Sequence, residues 1–186
     1  MNRTVAMGLL ALFVCAAGGP IPEALSAPKL APGMPMPALR GELLTGEKAE
    51  LPAAAAGKTA LIALGFTYDA RLAVDAWTKA FRDRLARDPS GVTFFEVPMI
   101  GGLARMARPF IDSGMRKGTP AELHRNVMTV YGGTGDWKKM LDYREKDAAY
   151  LILIDARGII RWLHAGKFDE EKFEELAAAC RSAAGR

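Results

Sequence analysis

The sequence predicts a three-layer α/β sandwich around a mixed central sheet, and three observations carry that prediction. Residues 59–66 (TALIALGF) are an unbroken apolar run of strand length, as a strand covered on both faces requires. A stretch of helical periodicity follows it, and another closes the chain. Between them, Asp155-Ala156-Arg157-Gly158 puts Asp first and Gly fourth in a tight turn, joining two short apolar runs as a hairpin. Strand, helix and strand in succession build a parallel half, and the hairpin supplies an antiparallel edge. Of the 186 residues 50% are hydrophobic and 25% charged, enough for one domain with a core.

Residues 1–26 read as a signal peptide. Arg3 supplies a positive start, residues 5–17 are apolar, and Gly18, Gly19, Pro20 and Pro22 break the run. Ala24-Leu25-Ser26 offers small residues where a signal peptidase cuts, so cleavage is expected before Ala27. The apolar run is too short to span a bilayer comfortably. Cys15 opens the alternative of a lipoprotein, although Val14 stands where lipidation requires a small residue. The expected address is the periplasm or the outer face of the inner membrane.

Residues 27–56 are expected to form a proline-rich N-terminal arm with a possible hairpin, and residues 57–186 the domain proper. Four prolines in residues 27–37 (APKLAPGMPMP) deny that stretch helix and central strand. Residues 39–51 carry short apolar pieces around Thr45-Gly46-Glu47, the pattern of a weak hairpin or edge ribbon. Gly57-Lys58-Thr59 resembles the end of a phosphate-binding loop, but the glycine required five positions earlier is Pro52 and a strand follows.

After the first strand, Asp69 is expected to cap a helix reaching Leu85. Its inner stripe is Leu72, Ala73, Ala76, Trp77, Ala80, Phe81 and Leu85. Asp88-Pro89-Ser90-Gly91 ends it. Residues 92–97 form the second strand, stopped by Pro98. Residues 103–111 read as a helix whose end Pro109 weakens or kinks. A short helix at 121–125 precedes a third strand at 126–131 (NVMTVY), and Asp136 is expected to cap a short helix through Tyr143. Residues 150–154 and 159–164 flank the tight turn. Asp169 caps the last helix, which runs to about Ala184.

A formal charge of +4 and an isoelectric point near 9.2 suit an anionic surface such as a membrane. No basic run exceeds two residues, which argues against nucleic acid as a partner. Once the signal is removed Cys180 is the only cysteine, so no internal disulfide forms. Two histidines and one thiol at unrelated spacings give no tetrahedral metal set, and no cofactor motif is complete.

The element order resembles the thioredoxin arrangement, and residues 151–162 (LILIDARGIIRW) look like the last two strands of that superfamily. The resemblance implies a Cys-x-x-Cys after the first long strand, where a helix N-terminus depresses a thiol pKa. That place reads Phe66-Thr67-Tyr68-Asp69-Ala70-Arg71, without cysteine. A cis-proline should precede the hairpin strand, where Ala148 and Ala149 stand. A narrower resemblance covers roughly 110 residues from Ala60. Its pieces include Val97-Pro98-Met99, Gly114-Met115-Arg116, His124, Val130-Tyr131-Gly132, Ala149-Tyr150-Leu151, Ile160-Arg161-Trp162 and Gly166, with Trp77 and Phe81 on the first helix. These are similar to the mitochondrial ATP synthase assembly-factor family known as ATPase assembly factor ten. That resemblance implies a thioredoxin-like domain without a dithiol that helps assemble the membrane sector of ATP synthase.

No catalytic residue and no metal ligand is expected. The candidate binding residues are Tyr68, Asp69, Arg105, Arg108, Arg116, Lys117 and Arg125. The five basic ones fall in a short stretch in which Asp112 and Glu122 are the only acids, and Arg105 and Arg108 share a helix face. They suit lipid phosphates or an acidic partner segment; a solvated helix face is the plainer reading. His124 and His164 read as surface and edge-strand positions, and Gly132-Gly133-Thr134-Gly135 as a turn. The expected function is a non-catalytic binding or assembly protein at a membrane, its protein partner a membrane-complex subunit. On that reading Tyr68, the basic helix and a loop over residues 95–106 face the partner. The alternative is a single-thiol redox protein using an exposed, acidic Cys180, and a third reading is a small-ligand groove where the dithiol would lie.

Overall fold

A computed structural model describes residues 28–86 and 91–184. The signal segment with Cys15 and most of the Asp88–Gly91 breaker lie outside the described residues. Seven strands form one sheet in the order β2-β1-β5-β4-β3-β6-β7. They are β1 (Leu39–Leu43), β2 (Lys48–Leu51), β3 (Thr59–Gly65), β4 (Val92–Ile100), β5 (Met128–Tyr131), β6 (Ala149–Ile154) and β7 (Ile160–Gly166). Four α-helices accompany them: α1 (Arg71–Arg84), α2 (Arg108–Gly118), α3 (Thr134–Met140) and α4 (Glu170–Ala184).

β3, β4 and β5 run parallel, and β6 and β7 complete the sheet antiparallel, as the hairpin reading requires. The expected ribbon near residue 45 exists as β1 and β2. It pairs antiparallel to β5 and so extends the sheet at its other edge. Gly41 makes that junction: a Cβ there would lie 2.6 Å from the Thr129 carbonyl oxygen. The proline-rich stretch also docks. Leu30 N–H donates to Met140 O at 2.9 Å, Ile160 N–H donates to Met34 O at 2.9 Å, and Met36 is buried.

Alternation along the strands divides the core in two. Ala60, Ile62 and Leu64 of β3 meet Phe95, Val97, Tyr150 and Ile152 on the face covered by α3 and the N-terminal stretch. Leu61 and Ala63 face Trp77 and Phe81 of α1 and Phe173, Leu176 and Cys180 of α4.

Several local expectations need correction. The buried stripe of α1 is Ala73, Val74, Trp77, Thr78 and Phe81, one step round from the expected one, so Leu72 and Ala76 face solvent. Asp69 does not cap α1, whose N-cap is Ala70 and has no side-chain cap bond. Instead the Thr67 hydroxyl accepts from Ala70 N–H at 3.2 Å. β4 runs past Pro98, which lies opposite Gly65, the last residue of β3. The missing N–H therefore falls where that ladder ends, and Met99 and Ile100 continue against β5. Residues 95–100 are thus strand and not loop. Pro109 begins α2 instead of ending a helix, because φ is preset and no N–H is needed in a first turn. A 3-10 turn, Gly102–Ala107, precedes it. Asp136 lies inside α3, which starts from Gly133 at φ 64°, a left-handed backbone that glycine tolerates. Asp169 does cap α4, accepting from Lys172 N–H at 2.9 Å.

Candidate functional site

The carboxyl ends of β3, β4 and β5 share one rim of the sheet, and the chain leaves them into α1, α2 and α3. Ligands of open α/β sheets gather at such a rim. On the β3 side, Thr67 Oγ1 donates to Lys146 O at 2.5 Å, tying this exit to the segment before β6. Phe66 closes the space beneath, edge-on to Tyr143 at 5.2 Å and to Tyr150 at 5.5 Å. Tyr150 Oη accepts from Arg144 N–H and Glu145 N–H at 2.9 and 3.0 Å. Ala148 is buried in the same core as this cluster, and Ala149 in the core on the other face of the sheet. Above it, Tyr68 is 77% exposed, with the Arg71 guanidinium 4.2 Å from its ring centre. Asp69 and Leu72 are exposed as well.

The β4 exit carries the basic residues, and they divide into two groups. Arg108 Nη2 donates to Glu42 Oε2 at 2.5 Å, and its Nε lies 3.5 Å from Asp112 Oδ2. Asp112 is buried and accepts from Tyr131 Oη at 2.7 Å. Burial and that carboxylate push the Tyr131 hydroxyl above the usual tyrosine range. Arg116 Nε donates to Leu44 O at 2.8 Å. Arg108 and Arg116 therefore tether α2 to β1 and its flank. Arg105, Lys117 and Arg125 are exposed, and among the described residues none has an ion pair.

The side α2 presents to the protein carries Arg108, Asp112 and Arg116 beside half-buried Ile111 and Met115, while Phe110 on α2 and two residues of the 3-10 turn before it stay outside. Leu103, Met106 and Phe110 are 85%, 79% and 83% exposed. Sequence reasoning put Leu103 and Met106 in the partner-facing stretch 95–106 but singled out none of the three, because a spacing of three and four is also the spacing of an inward face. Glu42 was missed because nothing local links it to Arg108, 66 positions away.

The remaining candidates sit elsewhere. His124 Nε2 lies 3.0 Å from Thr119 O. His164 stacks on Trp162 in the cluster around Trp77, and burial there, aided by Lys172, lowers its pKa. Cys180 is 4% exposed on α4, remote from the rim, and burial pushes its thiol up against a small opposing effect of Arg181. An exposed, acidic thiol is not what that position provides. A shallow cavity of about 200 Å³ lies between Leu30, Met140, Tyr150 and Leu163. The Lys29–Asp142 ion pair, 3.1 Å, sits at its wall and leaves it no uncompensated charge. Among the described residues no group of three or more His, Cys, Asp or Glu side chains could hold a metal ion. No described helix is long and apolar enough to cross a membrane.

Residues 26–182 match the family model described as ATP10 protein. No curated protein sequence matches the chain. Among solved structures, the protein assigned as thiol:disulfide interchange protein DsbE from Chlorobium tepidum is 16% identical with a TM-score of 0.58, covering 84% of this chain and 99% of its own. The exposed lipoprotein thioredoxin Etrx1 from Streptococcus pneumoniae is 15% identical with a TM-score of 0.54, covering 76% and 98%. BsSco, a member of the Sco family of cytochrome c oxidase assembly proteins, is 12% identical with a TM-score of 0.56, covering 83% and 96%. At these identities the likeness is one of fold: the domain is thioredoxin-like.

Proposed function

Because this chain belongs to the ATP10 protein family, we propose that it is a non-catalytic assembly factor for a membrane complex, with the membrane sector of ATP synthase as its client. We place it outside the cytoplasm, at the outer face of the inner membrane, on the strength of the signal-like residues 1–26. The observation that carries the reading is the substitution at the β3 exit. Where thioredoxin-like enzymes hold a dithiol at a helix N-terminus, this chain offers Tyr68 and Leu72, 77% and 66% exposed, and no sulfur.

Large side chains held out in water at a rim favour binding, since each gains when a partner covers it. The rim also keeps its shape without a ligand. Thr67 bridges to Lys146, and the Phe66, Tyr143 and Tyr150 rings pack beneath, so little ordering accompanies association. Arg125 adds positive charge that suits an acidic partner segment.

The test is complementation. A strain lacking the chain is supplied with the natural protein, the double variant Tyr68→Ala/Leu72→Ala, or Cys180→Ser, and assembled ATP synthase is measured on native gels. The natural protein and Cys180→Ser are expected to restore assembly fully, and the double variant to restore little of it. Full restoration by the double variant removes the β3 rim from the function, and failure of Cys180→Ser brings the thiol back into it.

A further inference from the structure

A surface helix usually turns its large apolar side chains inward; α2 and the 3-10 turn before it leave Leu103, Met106 and Phe110 outside. On the protein side of α2, Arg108, Asp112 and Arg116 are fastened to Glu42, Tyr131 and the Leu44 carbonyl, with Ile111 and Met115 half-buried alongside. Its outward positions, with those of the preceding 3-10 turn, are Leu103, Met106 and Phe110, each about four-fifths exposed. One turn of 3-10 helix separates the first two and one α-turn the next, so the three form a single stripe. Lys117 lies two α-turns beyond Phe110 on the same side, and Arg105 flanks the other end. Neither has an ion pair among the described residues. The only acid in the segment, Asp112, is buried on the far side.

We infer that the stripe Leu103–Met106–Phe110 inserts into the interface of an anionic bilayer, with Arg105 and Lys117 on lipid phosphates. The charge pattern selects lipid over a protein groove: an apolar stripe bracketed by uncompensated cations, with no outward acid, matches acyl chains bordered by phosphate. The polar tether on the inner side holds the stripe outward, so insertion requires no unfolding of α2. This inference is separate from the partner reading, which rests on Tyr68 and Leu72 at the neighbouring strand end.

The test uses the full chain and protein-free vesicles, one set of phosphatidylcholine alone and one with a third phosphatidylglycerol. Sedimentation is compared for the natural protein, Leu103→Ser/Met106→Ser/Phe110→Ser, and Arg105→Glu/Lys117→Glu. All the changed side chains are exposed, and circular dichroism verifies each fold. Any contribution of residues 1–27 is common to the three proteins. The natural protein is expected to bind the anionic vesicles more tightly than the neutral ones, and salt to weaken that binding. The triple variant should lose about a hundredfold in partition coefficient, and the charge-reversal variant about tenfold on anionic vesicles only. Equal binding by the triple variant overturns the inference, as does absence of binding by the natural protein. If vesicles fail but a solubilised membrane protein is captured in a stripe-dependent way, the stripe is a protein contact and the lipid assignment falls.

Discussion

The Thr67 hydroxyl donates to the carbonyl of Lys146 at 2.5 Å, across 79 positions of sequence, and accepts from the Ala70 N–H at 3.2 Å. One side chain thus joins the β3 exit to the segment before β6 and relieves an orphan donor at the start of α1. Thr67→Val keeps the shape and removes both bonds, so it should cost about 1–2 kcal/mol. Thr67→Ser should restore most of that. Urea unfolding followed by circular dichroism checks both, and a Val variant as stable as the natural protein would show that the bridge contributes nothing.

The second tether is tested at Tyr131. Tyr131→Phe leaves the buried Asp112 carboxylate with Arg108 as its remaining partner, a loss of about 1–2 kcal/mol. Asp112→Ala strands both Tyr131 Oη and one side of Arg108, and about 3 kcal/mol is expected. Because the residues share one network, the double variant should cost less than the sum of the two single ones. Additive losses would mean that the groups do not interact.

The succession of elements along the chain, with a parallel half and an antiparallel hairpin edge, was legible, because long apolar runs and the Asp155–Gly158 turn are local signals. Asp155 shows how far local reading goes. The turn closes by Gly158 N–H donating to Asp155 O at 2.9 Å, as its sequence requires. The ion pair from Arg161 Nη2 to Asp155 Oδ2, 2.5 Å, belongs to the strand after it. Burial alone would raise the Asp155 carboxyl, yet the N–H groups of Ile159 and Arg157 and the Arg161 guanidinium hold it below the usual carboxylate range. The rim was legible as an address, through Phe66–Arg71, but not as a surface. Whether Leu72 or Leu103 points in or out depends on which face of its helix meets the sheet. For α1 that is set by Trp77 and Phe81 packing on Leu61 and Ala63, and for the turn before α2 by the Arg108–Glu42 tether, contacts between residues apart in sequence.

Cys180 offers a direct check on the thiol reading. Its side chain is packed among Phe81, Phe173 and Leu176, so a reagent reaches it only when α4 detaches. In a Cys15→Ser background, Ellman's reagent should modify Cys180 at the rate of unfolding, and quickly in denaturant. Fast modification of the folded chain at neutral pH would revive a redox role.

Glu96 and Asp75 give a pH dependence whose sign is unusual for carboxylates. Burial raises the Glu96 carboxyl above its ordinary value; the Thr78 hydroxyl, 2.6 Å from its Oε1, opposes this and the Asp75 carboxylate adds to it. Burial raises Asp75 too, against Arg71. A group that holds its proton more tightly in the folded state binds more protons there than in the unfolded chain, so stability falls as pH rises. The unfolded Glu96 ionises around 4.5, and the loss accumulates from that pH up to the higher folded value. Glu96→Gln removes the charge and leaves an amide able to donate to Thr78 Oγ1, which still donates to Val74 O at 2.9 Å. The variant should match the natural protein at pH 4 and exceed it at pH 7, read as a difference in urea midpoint. A midpoint lower than the natural protein's at pH 7 would mean that the ionised Glu96 stabilises this helix–strand junction.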